Sequence, residues 1–393
     1  MFSSRVPPDL EPNRLTRAIA SARAEGRTLI DLTTSNPTTA GIAYPEGILA
    51  PLADAAAYSY APEPKGMHSA RAAVAADYGR RGIVVATDRI VLTASTSDAY
   101  SILFKLLCAP DGDQVLVPAP SYPLFDHLTR LDGVAGVPYR LEYHGRWTLD
   151  ERSVEVGWTP RTRAVLAVSP NNPTGSLLSA AELEWLSSLC AEREAALIVD
   201  EVFADYPLSA VRGPLSGLCP SGFGRQAACL TFRLGGLSKS AGLPQVKLGW
   251  IAIDGPDDLV EPALQRIEFI TDAYLSVSTP VQLAAPAFIE QGAAVRAAIL
   301  ERIRANYAEL QRAVSSEPSM EVLDTDAGWS VVLRVPSTRS EEELALRLLA
   351  DGVLVYPGFF FDFAHEAFLV ISLLPEPAVF AEGVQRIVER VRG

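Results

Sequence analysis

The sequence predicts an α/β fold, a mostly parallel sheet clothed by helices, with a smaller α+β domain beside it. Two observations carry this. Short apolar runs alternate with amphipathic helical patterns from Arg89 to Val199, and beyond about Pro280 the texture changes to long helices mixed with isolated strands. The chain of 393 residues is 48% hydrophobic, enough for a large core and for more than one domain. The expected division is an N-terminal segment 1–45 packing with the small domain, a large domain 46–284 and a small domain 285–393.

The elements follow in order. Residues 1–45 are rich in Pro, Thr and Ser, with one helix over Leu15–Ala24. Arg89–Thr93 (RIVLT) reads as a buried strand and Asp98–Cys108 as a helix; Gln114–Val117 is the next strand and Tyr122–Leu131 the next helix. Ala164–Val168 and Ala195–Val199 are strands flanking a helix over Ala180–Arg193, and Cys229–Phe232 and Leu248–Ile253 continue the sheet. A long helix from Pro280 to Val314 opens the tail. Strands at Trp329–Val335, Val353–Tyr356 and Phe368–Leu373 follow, with helices over Glu341–Ala350 and Ala378–Val391.

Composition narrows the function. A net charge of -13 and a pI near 4.9 argue against a nucleic-acid-binding surface. Cys108, Cys190, Cys219 and Cys229 are scattered, and no CxxC or Cys/His cluster suggests a metal. The N-terminal stretch lacks the apolar centre of a signal peptide, and no later run reads as a bilayer span, so a cytoplasmic enzyme is expected.

Five segments fall after strands, where open parallel sheets bind ligands. Ser95, Thr96 and Ser97 open a helix, and their hydroxyls and backbone N–H groups suit an anion; an ordinary N-cap is the plain alternative. Tyr122 offers a ring for stacking, or simple packing. Ser169-Pro-Asn-Asn-Pro-Thr-Gly presents Asn172 on a fixed turn. Asp200 ends an apolar run, so its carboxylate needs a cationic partner such as a protonated pyridine nitrogen. Lys239, among small residues in GGLSKSAG, suits a Schiff base, and Lys247 suits a phosphate. No GxGxxG after a strand and no GxxxxGK[ST] occurs. Each feature alone is weak. Their joint occurrence in one order is the set that pyridoxal 5′-phosphate requires.

On Ser35-Asn36-Pro-Thr, Tyr60-x5-Gly66, Asn172-Pro-Thr-Gly, Asp200-Glu-Val and Ser238-Lys239, the chain resembles the class I/II, fold-type I pyridoxal-phosphate-dependent aminotransferases over nearly its full length. The resemblance implies a seven-stranded-type sheet and a homodimer with shared sites, in which Tyr60 reaches the phosphate of the neighbouring subunit. It implies that Lys239 carries the cofactor and shuttles a proton and that Asp200 pairs with the pyridine nitrogen. Asn172 would bond the ring's 3′ oxygen, Tyr122 would stack, and Ser95, Thr96, Ser238 and Lys247 would surround the phosphate. The implied reaction is a ping-pong exchange of an amino group between an amino acid or amine and a 2-oxo acid, by way of aldimine and ketimine.

Three departures stand out. Phe203 occupies the place of a tyrosine that donates to the 3′ oxygen, so the lysine–cofactor imine is expected to hold its proton to higher pH. Gly236 replaces a serine, and Lys247 an arginine, which exchanges a bidentate fork for a point charge. Val370, in Phe368-Leu-Val-Ile-Ser, stands where the family carries the arginine that binds the substrate carboxylate. Either another cation substitutes, with Arg334 and Arg233 as candidates and His365 a weaker one, or the substrate is not an ordinary α-amino acid. Asn36 is a further substrate-side candidate. The aromatic run Pro357–Phe363 either covers the site or fills the small domain. A lyase, decarboxylase or cyclase on the same scaffold is the alternative reaction, and a non-enzymatic regulator is disfavoured by the retention of Lys239 and Asp200.

Overall fold

The computed structural model describes residues 2–110, 112–208, 227–275, 277–365 and 367–392; Cys219 lies outside them. At its centre is an eight-stranded sheet. In spatial order its strands are Ile90–Thr93, Gly249–Asp254, Thr231–Gly236, Ala196–Asp200, Thr162–Val168, Gln114–Ala119, Ala135–Tyr143 and Trp147–Leu149. Six of these run in one direction; Gly249–Asp254 is antiparallel to both neighbours, and Trp147–Leu149 returns antiparallel at the far edge. The inner strands are apolar because both faces are covered. Helices Thr96–Leu107 and Asp257–Tyr274 pack on one face around Phe104, Phe232 and Ile251. Glu151–Gly157 and Ala180–Glu192 pack on the other around Leu116, Val165 and Leu197.

The strand Ala135–Tyr143 is absent from the sequence reading. Pro138, Arg140 and Glu142 break its apolar pattern, and its place near the sheet edge tolerates them. The strand Thr231–Gly236 also runs further than Cys229–Phe232 suggested, bringing Lys239 close to the sheet edge.

A second, four-stranded antiparallel sheet joins Glu321–Val322, Ser330–Arg334, Phe368–Ser372 and Tyr356–Pro357. The N-terminal segment is tied to this part of the chain, for Ile30–Asp31 pairs in parallel with Val353–Leu354. The helix Thr279–Val314 runs without interruption across the expected boundary at 284/285. Its Arg302 donates to the carbonyls of Ala40 and Leu374, and its Asn306 to those of Leu373 and Pro375. Those four bonds fix the start of the chain and the end of the last strand to one rigid rod. This helix has the length and apolar composition to cross a bilayer, contrary to the sequence reading. Its Phe288, Val295, Ile299, Ile303 and Leu310 are instead packed in the protein core.

Candidate active site

Strand register lines the candidate residues along one edge. Val168 pairs with Asp200 and Asp200 with Leu234, so the Asn172 turn, Asp200 and the turn carrying Lys239 leave the sheet at one level. On the other side Gly236 pairs with Gly249 and Gly249 with Thr93. The loop at Ser95 and the residues around Lys247 therefore join the same row. Tyr122 follows Gln114–Ala119 at the same end and is half exposed, 50%.

Asp200 is buried and held at both oxygens. Tyr100 donates to Oδ2 at 2.7 Å, and the Val202 N–H to Oδ1 at 3.0 Å. Burial pushes its pKa up to about 6; the two hydrogen bonds and the nearby Lys239 pull the other way. Tyr100 itself is driven well above its usual range, first by burial and then by the Asp200 charge, so it remains a donor.

Lys239 lies in the short helical turn Leu237–Ser240. Its Nζ stands 5.5 Å from the Phe203 ring centre and 5.0 Å from that of Trp329. Burial lowers its pKa, opposed by the Asp200 charge. The amine is thereby more available as a nucleophile than a surface lysine. Its backbone carbonyl accepts hydrogen bonds from the Tyr206 hydroxyl and the Gly242 N–H, which hold the turn. Phe203 and Tyr206 both pack edge to face on Trp329, at 5.4 and 5.1 Å. Trp329 went unmarked in the sequence as a site residue, because it comes within reach of Lys239 only through the tertiary fold.

The loop at 94–98 is built as an open helix start. Ser95 Oγ accepts the Asp98 N–H at 3.1 Å, and Asp98 Oδ2 accepts the Ala94 N–H at 2.9 Å. The N–H groups of Thr96 and Ser97, at the first helical positions, have no acceptor within the helix. Gly249 allows the neighbouring strand to touch this loop: a Cβ there would lie 2.8 Å from the Ser95 carbonyl carbon and 3.1 Å from the Thr96 nitrogen. Ser238 is partly buried, and Lys247 is exposed at the left-handed φ of 62°.

The two asparagines differ. Asn171 is consumed by structure, donating to the Pro120 carbonyl and to Thr174 and accepting from Ser121. Asn172 has a buried Oδ1 with no hydrogen-bond partner among the described residues. The turn is locked to the loop that carries Trp329, since the Ala327 N–H donates to the Gly175 carbonyl and Gly328 N–H to that of Tyr206.

The remaining candidates lie elsewhere. Arg233 is buried and ion-paired with Glu201, which also takes Arg81 at 3.4 Å. Arg334 pairs with Glu321 at 2.6 Å and lies over the Tyr143 and Phe368 rings. Asn36 is exposed and caps the turn Pro37–Thr39. His365 is exposed, and Tyr60 is 71% exposed. Val370, only 1% exposed, packs with Trp147, Leu323, Val332 and Phe361, so the aromatic run at 357–363 contributes core on this side. Among the described residues no group of His, Cys, Asp and Glu could hold a metal.

Comparison with known proteins places this geometry. The chain is 30% identical over 269 residues to the alanine aminotransferase of Mycobacterium tuberculosis, covering 67% of this chain and 60% of that protein. It is 29% identical over 242 residues to an S-alkyl-thiohydroximate lyase of Arabidopsis thaliana, covering 59% and 49%. The matched stretch is thus under two thirds of these relatives' length. The alanine aminotransferase structure from Pyrococcus furiosus superposes over all of both chains with a TM-score of 0.87 at 21% identity, which identifies the fold. The family model for aminotransferase class I and II matches residues 27–390. The chain belongs to the class I and II aminotransferases.

Proposed function

We propose that this protein is a pyridoxal-5′-phosphate-dependent aminotransferase that moves an amino group between an amino acid or amine and a 2-oxo acid by alternating half-reactions. The observation that carries the reading is the partly buried Lys239 amine close to the buried Asp200 carboxylate, at the edge where the Asn172 turn and the Ser95 loop also end. Three features fit the cofactor. The Asn172 amide has an unsatisfied buried oxygen, a polar end available to a ring oxygen whichever way the amide is turned. The N–H groups of Thr96 and Ser97, without acceptors inside the helix, suit a phosphate. Asp200 has two neutral donors but needs a cation to be comfortable as a carboxylate.

When bound, the cofactor supplies an electron sink for the substrate α-carbon. The chain does the rest. Asp200 holds the pyridine nitrogen's proton. Lys239 would hold the cofactor through Nζ, and the same amine would carry the proton to and from the substrate α-carbon. Asn172 orients the ring, Tyr122 covers a face, and Phe203 leaves the 3′ oxygen without the hydroxyl donor a tyrosine would give. Ser95, Thr96, Ser97, Ser238 and Lys247 hold the phosphate. Tyr60 serves the site of a second subunit in a homodimer. Its exposure, together with that of Tyr58, Phe269, Tyr274 and Leu275, supports an apolar contact surface there. The large and small domains meet along the helix Thr279–Val314.

A screen of amino donors against 2-oxo acids by mass spectrometry tests this, beginning with alanine and including amines without a carboxylate. Accumulation of a new 2-oxo acid or aldehyde with transfer of nitrogen to the acceptor is expected. The similarity to a lyase, together with Val370, keeps a second reading: elimination on the same scaffold. Release of ammonia or carbon dioxide with no aminated acceptor would favour it.

A further inference from the structure

We propose that the indole N–H of Trp329 binds a carboxylate oxygen of the substrate, as the neutral replacement for a cationic clamp. This rests on the aminotransferase reading above and names its substrate contact. Trp329 is 2% exposed, and its Nε1 has no hydrogen-bond partner among the described residues. A buried donor left unsatisfied is destabilising, so an acceptor at this position recovers that penalty. Nε1 is a donor only and therefore selects an acceptor oxygen.

Position decides which acceptor. The ring lies 5.0 Å from Lys239 Nζ, the atom that the amino group of a substrate displaces. A group attached to the substrate α-carbon must come to rest close to that nitrogen. Alternative partners for a carboxylate are committed elsewhere. Arg233 is ion-paired with Glu201, Arg334 with Glu321, and Val370 is embedded among Trp147, Leu323, Val332 and Phe361. Asn172 stands on the turn hydrogen-bonded to the Trp329 loop, and in the proposed site its amide serves the cofactor ring. Trp329 carries a buried donor without a partner among the described residues, and its ring packs against the reacting amine.

The ring is also held still. Phe203 and Tyr206 pack edge to face on it, the loop before it is bonded to Gly175 and Tyr206, and its own carbonyl accepts the Leu373 N–H at 2.7 Å. A fixed neutral donor gives a carboxylate direction without the long-range attraction of a guanidinium. Affinity for α-amino acids is then modest, and amines lacking the carboxylate compete well.

A matched pair of ligands tests this in the cofactor-loaded enzyme. 2-Aminoisobutyrate carries a carboxylate and has no α-hydrogen to lose; tert-butylamine has a methyl in place of the carboxylate and likewise no α-hydrogen. Their dissociation constants are read from the visible absorbance of the cofactor in wild type and in Trp329→Phe. The expected result is a rise of about tenfold for 2-aminoisobutyrate, the loss of one hydrogen bond to a charged group, with tert-butylamine changed by less than about twofold. Equal weakening of both ligands, or no change in either, would overturn the assignment while leaving the aminotransferase reading intact. Failure of the wild-type chain to load the cofactor would sink both. Should Trp329→Phe not fold, 3-benzothienylalanine at position 329 removes the N–H at nearly constant shape, and the same ratio is read.

Discussion

The two sides of the Lys239 amine are built on opposite terms. On the sheet side stand a buried carboxylate with two donors, an orphan amide and an open helix start, all polar and aimed along one strand edge. On the other side stand the rings of Phe203 and Trp329, while a separate apolar cluster in the small sheet surrounds Val370. The contrast sets a polar row, which we propose as the cofactor floor, against an aromatic wall on its other side. Specificity on such a wall comes from shape and single donors rather than from charge pairing.

Lys239→Ala probes the floor most severely. It removes both the covalent hold and the proton carrier, and turnover should fall by at least about a thousandfold. A spectrum without the lysine-bound band should accompany the loss. Asp200→Asn should lower turnover by roughly a hundredfold or more, because the ring loses its charged partner. The same substitution has a readout without cofactor. Asp200 holds its proton to about pH 6 in the fold, against an ordinary value near 4. The folded chain therefore carries no penalty from this group at pH 3. It acquires one as pH rises from about 4 through about 6, by about 3 kcal/mol in all. Urea midpoints of Asp200→Asn should lose that decline between pH 4 and pH 7. An unchanged decline would mean the carboxylate is better solvated than its burial indicates.

The separate cluster is challenged by Val370→Arg. A guanidinium placed among Trp147, Leu323, Val332 and Phe361 should destabilise the chain by about 3 kcal/mol, read from its urea midpoint. Wild-type stability in this variant would mean that the cluster admits water or an anion. Phe203→Tyr returns a hydroxyl donor beside Lys239. The pH at which the lysine-bound cofactor changes colour should fall by about one unit, the worth of one hydrogen bond to an anion. A wild-type value already low and unmoved by Phe203→Tyr contradicts that account. Arg334→Ala marks the quiet end. Its guanidinium is partly exposed and paired with Glu321, so KM for any carboxylate substrate should shift by less than about twofold.

Much of the floor was legible in the sequence. Asp200, Asn172, Ser95 and Lys239 each follow an apolar run within a few residues, and strand order then sets them side by side. The wall was harder to read. Trp329 meets Lys239 across ninety residues of chain, and nothing local in Ala-Gly-Trp announces it. Arg233 drew notice as a charge near Lys239. Yet a charged residue inside a strand buried on both faces must find a partner across the sheet, and Glu201, the residue after the carboxylate that ends the adjacent strand, provides it. The strand Ala135–Tyr143 was hidden by its own polar residues, which only its place near the sheet edge explains.

The central claim is that one amine, Lys239, captures a pyridoxal aldehyde above a row of polar groups. Incubation of the chain with pyridoxal 5′-phosphate, borohydride reduction and peptide mass spectrometry measures it directly. The account predicts a yellow protein whose reduced adduct lies on residue 239 and is absent in Lys239→Ala. A colourless protein with no mass increment there, or an adduct confined to Lys65, Lys105 or Lys247, would contradict it.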